Sequence, residues 1–513
     1  MSRSLLAASA ATALLLVALA GCGGGGGGGG SSGGGGSSSS SSSSSAAVDN
    51  GTLKVMDDSV SITLRNAGNS QFLAIAGQSQ VAGAAIATAA PASTAEQKWH
   101  IIPMTGSQYN LENMLTHQVA GISAASTATG AGAVQWADNG TNDHLWNFYL
   151  LGDSNYLVKN VNSGLYLTAD SAGAVTQSPR ASSGTAQEWT IASTGSDAYP
   201  APRTVTGAGV AVHDPNMIVD PSGKFWLYGT HNTLASSTDM TTFSSVSTGI
   251  FATDFAWWAA KNTTGGGGRT DLWAPDVMYA NGKYYQYYSI PIYDVPGTAG
   301  TNNGAEAVIA LATSPNPDGP WTDAGQIIAS CGHTAGCTTG FNAIDPAPFI
   351  DSSGKWWLSF GSWEDGIHVL ALDPATGLRL ASDTTLHDIA RRTAGEEGSF
   401  IFPWTVSGTT WYYYFASINV CCAANSPYRI VVGRSASPTG PFLDRGGLDL
   451  HDGGGTILLS AHGHVQGPGG ESVVAVAGVP TLVYHFYDAN LAGAPRLGIN
   501  TLTFDADGWP VVN

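Results

Sequence analysis

Positive charge is scarce in this chain: 19 Lys and Arg face 37 Asp and Glu over 513 residues, a formal net charge of −18 at pH 7. Phosphate binding needs a basic face, so no nucleic-acid partner is expected, and an uncharged partner such as a sugar fits better. Charged residues of both signs together make up only 11%. Cysteine is rare too, five in all, and lacks the two-by-two spacing that a structural zinc site requires. Long apolar runs are missing: the stretch at residues 10–20 is too short for a stable membrane span. Clear helical patterns are few, whereas 67 glycines punctuate short apolar and aromatic runs. Such a composition points to an all-β protein, and the length to at least two domains.

The N-terminus supplies an address. Residues 1–22 read as a signal peptide whose last four residues, 19–22, resemble a bacterial lipobox, which implies cleavage before Cys22 and lipid on its sulfur. An ordinary secretory signal with a chance cysteine is the alternative. A Gly/Ser-rich linker follows over residues 23–59, with only Gly and Ser from 23 to 45, a flexible tether with nothing to bury. The chain is therefore expected to be exported and lipid-anchored to the bacterial cell envelope, at the outer membrane or cell surface. Four cysteines remain. Cys331 and Cys337 are placed to close a small loop, and adjacent Cys421 and Cys422 either form a vicinal disulfide or stay reduced.

Residues 60–195 repeat three times, each unit closing on a Trp: Trp99 in "EQKWHI", Trp146 in "DHLWNF" and Trp189 in "QEWTIA", at spacings of 47 and 43. One buried Trp per repeat is what a threefold barrel needs at its centre. The triplets "QKW" and "QEW", and "NVNSGLYLT" at 160–168, resemble the ricin-type β-trefoil lectins, although "HLW" departs from the pattern. The resemblance implies carbohydrate binding, with Trp136, Asn139 and Asp170 as the candidate sugar contacts.

The remaining residues, 205–513, write one pattern five times. "HDPNMIVDPSGKFWLYGT" at 213–230 joins an apolar strand to an aromatic one through a Gly turn, and the pattern returns at 274–289, 345–362, 398–417 and, more loosely, 470–488. Five hairpins with room for four strands each make a five-bladed β-propeller. Its inner strands converge on one channel, so residues at their heads meet although distant in sequence. Asp214, Asp345 and Glu397 hold such positions. Clustered carboxylates raise one another's pKa, and folding alone does not favour them.

The ordered set "HDP", "LWAPDV", "NAIDP", "SFGSWEDGI", "EGSFIF", "CCAANSPYRIVVGRSASPTGPF" and "DADGWP" resembles the arabinanases of glycoside hydrolase family 43. That resemblance implies an inverting enzyme acting on α-1,5-linked L-arabinofuranose, with arabinan or another arabinose-containing plant polysaccharide as partner. Asp214 then matches the general base, Glu397 the general acid, and Asp345 the carboxyl that orients the acid and tunes its pKa. His213, Trp273, Phe341, Ser362 and Trp363 are the candidate substrate contacts, and Asp276 is read as a turn residue. No cofactor is required by this chemistry. A structural calcium ion is left open, because such arabinanases commonly carry a His where this chain has Gly470; His462, His464 and His485 are the candidates to replace it. The trefoil is expected to bind and the propeller to cleave, in a monomer. The competing readings are an α-L-arabinofuranosidase or β-xylosidase on the same fold, or a glycan-binding lipoprotein without catalysis.

Overall fold

The computed structural model describes residues 49–152, 154–261, 268–292, 306–331 and 338–513. Cys22, the leader and Cys337 lie outside the described residues. Strands dominate, and the α-helix Ala256–Lys261 is a single short turn-and-a-half. No helix among the described residues is long and apolar enough to cross a membrane.

The N-terminal domain is a β-trefoil of thirteen paired strands. It starts with a strand at Thr52–Leu53, inside the segment read as linker, paired with Leu150 and Tyr149. Period-two alternation turns Ile62 and Leu64 inward along Val60–Asn66 while Arg65 faces solvent. The three repeat tryptophans, each at most 1% exposed, fill the centre in one arrangement. The indole N–H of Trp99 donates to the Leu73 carbonyl, that of Trp146 to Ala120 and that of Trp189 to Leu167, at 3.0, 2.9 and 3.1 Å. Threefold symmetry thus extends to individual hydrogen bonds, which satisfy the one polar atom each buried indole carries.

The C-terminal domain is a five-bladed β-propeller. Four blades have four antiparallel strands in sequence order, and the first adds Thr206–Gly207 as a parallel outer strand. The innermost strands are Asn216–Val219, Trp273–Ala280, Ala347–Ile350, Glu396–Val406 and Val465–Val476. Among the described residues, no strand is shared between the last blade and the first. The ring closes by side-chain packing, with Val212, Met217 and Leu227 of blade 1 against Val483, Leu497 and Ile499 of blade 5. Two backbone bonds flank this seam, Leu497 N to Val210 O and Arg203 N to Ile499 O, both 2.8 Å.

The domains are docked, not merely strung together. Ile102, Val119 and Tyr199 join a buried apolar cluster with Phe415, Ile430 and Val465 of the propeller. Beside it, the fully buried Arg429 of blade 4 donates to Asn110 at 2.9 Å and pairs with Asp138 at 3.5 Å. Burial alone would raise the Asp138 carboxyl, but Arg429, Arg392 and His144 bring it below its ordinary value. A second network centres on buried Glu112, which accepts from Tyr199 at 2.5 Å and pairs with His100 and His117 at 3.1 and 2.8 Å. Burial opposes its charge, yet the two imidazoles hold the carboxyl down at about 2.

Candidate active site

Each inner strand of the propeller has, just before it or within its first six residues, a cleft-lining residue with positive φ: Asp214 (48°), Ala274 (39°), Asp345 (56°), Gly398 (64°) and Gly470 (56°). Left-handed backbone is costly for most L-residues, and Asp tolerates it better than most. The five heads surround one cleft of about 820 Å³, whose walls include Asp214, Trp273, Asp276, Asp345, Ser362, Trp363, Glu397 and Glu471. Blade 4 differs from blades 1 and 3 in one respect: its acid, Glu397, stands one residue before the left-handed position. A register irregularity at 397–400 accommodates the offset.

The acids are dressed differently. Asp214 Oδ2 accepts from Thr230 Oγ1 at 2.5 Å, and Thr230 accepts in turn from the Ala274 amide at 2.9 Å. Glu397 accepts from Ser362 at 2.7 Å and from Tyr428 at 2.9 Å. Asp345 accepts the Gly398 amide at 2.9 Å, which ties it to the residue after Glu397. Burial pushes the Glu397 carboxyl up; the Ser362 and Tyr428 hydroxyls oppose this, and the Asp214 charge adds to it. Asp345 is pushed well above the carboxylate range by burial first, then by Glu397 and Asp214. Both shifts favour the protonated form, and the two neighbouring carboxyls titrate as a pair. Two carboxyl groups across one cleft, one of them pushed toward its protonated form, are what glycosidic bond hydrolysis requires.

Comparison with known proteins agrees with this chemistry. Residues 208–510 match the model of glycosyl hydrolases family 43, and residues 52–136 and 142–200 match that of the ricin-type beta-trefoil lectin domain-like family. The chain belongs to glycosyl hydrolase family 43. It is 37% identical over 307 residues to extracellular endo-alpha-(1->5)-L-arabinanase 1 of Bacillus subtilis (strain 168), covering 58% of this chain and 87% of that protein. Among solved structures, the GH43 endo-arabinanase from Bacillus licheniformis superposes with a TM-score of 0.52 at 34% identity, covering 60% of this chain and 99% of that one. An exo-1,5-alpha-L-arabinanase from a bovine ruminal metagenomic library gives 0.51 at 32% identity, covering 59% and 96%. The protein is a glycoside hydrolase.

Within this hydrolase, His213, Trp273, Ser362 and Trp363 line the cleft with the three acids. Phe341 does not. Its ring packs edge-on against Phe360 and His368 at 5.5 and 5.6 Å, in the apolar core of blades 2 and 3. An aromatic just outside a site motif filled the core instead, and its neighbour Asn342 faces the cleft. Asp276, read as a turn residue, is buried on the cleft wall with its carboxyl pushed well up by burial. In the trefoil, Trp136 and Asn139 are half-buried; Trp136 lies beside Gly83 of the trefoil, whereas Asn139 lies beside Gly453 of the propeller and its neighbour Asp138 pairs with Arg429. Asp170 is exposed, with Oδ1 accepting the Ala172 and Ala174 amides.

Three residues that the sequence did not single out complete the site. Thr230 ends the same opening pattern that Asp214 begins, and Tyr428 lies in the "CCAANSPYRI" block. Glu471 is a further carboxyl, buried on the cleft wall and pushed up to about 8 by its burial. Of the histidines proposed to replace a residue at 470, His485 is the one beside the acids. Its Nδ1 accepts the Asp214 amide at 3.1 Å, and burial holds its pKa well below the ordinary value. A side chain at 470 would put its Cβ 2.5 Å from Asp214 Oδ1 and 2.7 Å from His485 Nδ1, so glycine is required there. His213, Asp214 and His485 bring two imidazole nitrogens and a carboxylate within 4.8 Å of one another. Calcium prefers an all-oxygen shell, and the His485 nitrogen is already engaged, so the set does not fit calcium.

Proposed function

We propose that the protein is an arabinanase that cleaves α-1,5-linked L-arabinofuranose in arabinan with inversion, exported and held at the bacterial envelope by lipid on Cys22. The observation that carries the reading is the unequal dressing of the acids around one cleft. Asp214, oriented by Thr230, is the general base that takes a proton from water. Glu397, embedded and proton-holding, is the general acid that protonates the leaving oxygen, and Asp345 orients it through the Gly398 amide while sharing its proton. The endo-arabinanases of the two Bacillus species support arabinan as substrate and internal cleavage as the mode. His213, Trp273, Ser362 and Trp363 contact the sugar rings, and the trefoil presents Asp170 to polysaccharide.

Proton NMR of the first-formed product from linear arabinan tests this. The β anomer is expected, released as oligosaccharides of mixed length. First release of the α anomer overturns inversion, and cleavage of xylan with arabinan untouched overturns the substrate.

A further inference from the structure

The two walls of the cleft are not alike. Blades 2 to 4 contribute aromatic side chains, Trp273, Trp363 and Phe400; the wall between blades 4 and 5 offers Val420, Cys421 and Cys422 instead. These cysteines are joined to each other. A disulfide between sequence neighbours encloses no intervening chain, so it removes almost no loop-closure entropy from the unfolded state and adds little stability. Nor is it packed away: Cys421 is half-buried, Cys422 is exposed and Val420 is 55% exposed. The segment is nonetheless fixed from behind. Tyr487 OH accepts the Cys422 amide at 2.8 Å and lies 3.3 Å from His485 Nε2, while Ser426 Oγ donates to the Val420 carbonyl at 2.5 Å. The same loop ends in Tyr428, the partner of Glu397.

We propose that the Cys421–Cys422 disulfide, with Val420, is a rigid apolar platform for the C–H face of a furanose ring, opposite the aromatic wall. It determines affinity for the sugar chain and takes no part in proton transfer. The inference rests on the arabinan reading given above. Two thiol side chains, free to rotate, cannot present the same fused surface. Reduction by a dithiol would therefore weaken binding: the S–S bond breaks, two electrons and two protons pass to the sulfurs, and the dithiol leaves as a cyclic disulfide.

The test is steady-state kinetics on linear arabino-oligosaccharides for the wild type and the Cys421→Ser/Cys422→Ser variant, each with and without dithiothreitol. Loss of an apolar contact of this size raises KM roughly five- to tenfold with kcat and its pH profile retained. The wild type should respond to dithiothreitol in the same way and the variant should not. Unchanged KM overturns the platform. So does a fall in kcat with a shifted pH profile, which would make the loop a support for Glu397, and so does an equal dithiothreitol response in the variant. If the variant fails to fold, the wild-type response to dithiothreitol decides: no rise in KM overturns the proposal. A wild type inert on every arabino-oligosaccharide instead refutes the substrate reading.

Discussion

Glu112 at the docked face of the trefoil and Glu471 in the propeller cleft are both buried carboxyls, yet they are displaced in opposite directions, to about 2 and to about 8. Two imidazoles and a tyrosine hydroxyl surround the first. The second accepts one hydroxyl, that of Ser417 at 2.6 Å, and its other oxygen has no partner among the described residues. The contrast separates two uses of buried charge. Where polar groups hold domains together, each charge is met by its counterpart; where they face a substrate, protons are kept and hydrogen-bonding capacity is left open.

The largest effect should come from the cleft. Asp214→Asn and Glu397→Gln are each expected to lower kcat on arabinan by about 10² to 10⁴ or more while circular dichroism and melting temperature stay near wild type. Near wild-type turnover in either variant would remove that residue from the mechanism.

Next in size is the docked face. Asp138→Ala strands the buried Arg429 and should cost about 3–5 kcal/mol in denaturant unfolding, whereas Asp138→Leu with Arg429→Met should recover most of the loss. For the same reason a chain starting at Pro200, which leaves Arg429 and Arg392 without Asp138, should keep the acids but melt well below the full chain. A truncated chain as stable as the whole would show that the interface contributes little.

The two glutamates predict opposite pH limits. Glu112, depressed in the folded state, contributes stability that is present above its unfolded value near 4.5 and lost as pH falls toward about 2. Glu471, raised in the folded state, favours folding below 4.5 and loses that contribution as pH rises toward about 8. Glu471→Gln should therefore raise the melting temperature at pH 8 by roughly 3–6 °C and change it little at pH 4. An equal shift at both pH values would mean that the carboxyl is not neutral when buried.

The smallest effect concerns Tyr428. Its hydroxyl stabilises ionised Glu397, so Tyr428→Phe should let the acid hold its proton more tightly and move the alkaline limb of kcat/KM upward by roughly half a pH unit to one unit. A downward shift would reverse the sign of that hydrogen bond.

The two domains also differ in how much of them the sequence reveals. Repetition made the architecture legible: three tryptophans at near-equal spacing mark the trefoil centre, and five recurring hairpins mark the blades. Asp214, Asp345 and Glu397 stand out because they recur at equivalent places, the heads of the repeats. Thr230, Tyr428 and Glu471 do not, because their importance lies in contacts between blades, which local pattern does not encode. Phe341 illustrates the converse. Adjacent to a site motif in sequence, it sits on a bend ahead of the inner strand and its ring packs against Phe360 and His368 instead of lining the cleft. Nothing in the trefoil repeats records that blade 4 lies beside Asn139 and Asp138.

The unshared seam between blades 1 and 5 has a consequence for biogenesis. The apolar edge made by Val212, Met217 and Leu227 is synthesised some 250 residues before Val483, Leu497 and Ile499, which cover it. Until the last blade emerges, that edge has no lid, and such exposed intermediates are prone to aggregate and attract chaperones. The Asp214 amide and His485 meet across the same seam, so Asp214, the base of the proposed mechanism, is fully oriented only in a finished ring. Turnover thus reports completion of the fold, and a chain released short of its final blade would be an inert holder of acids.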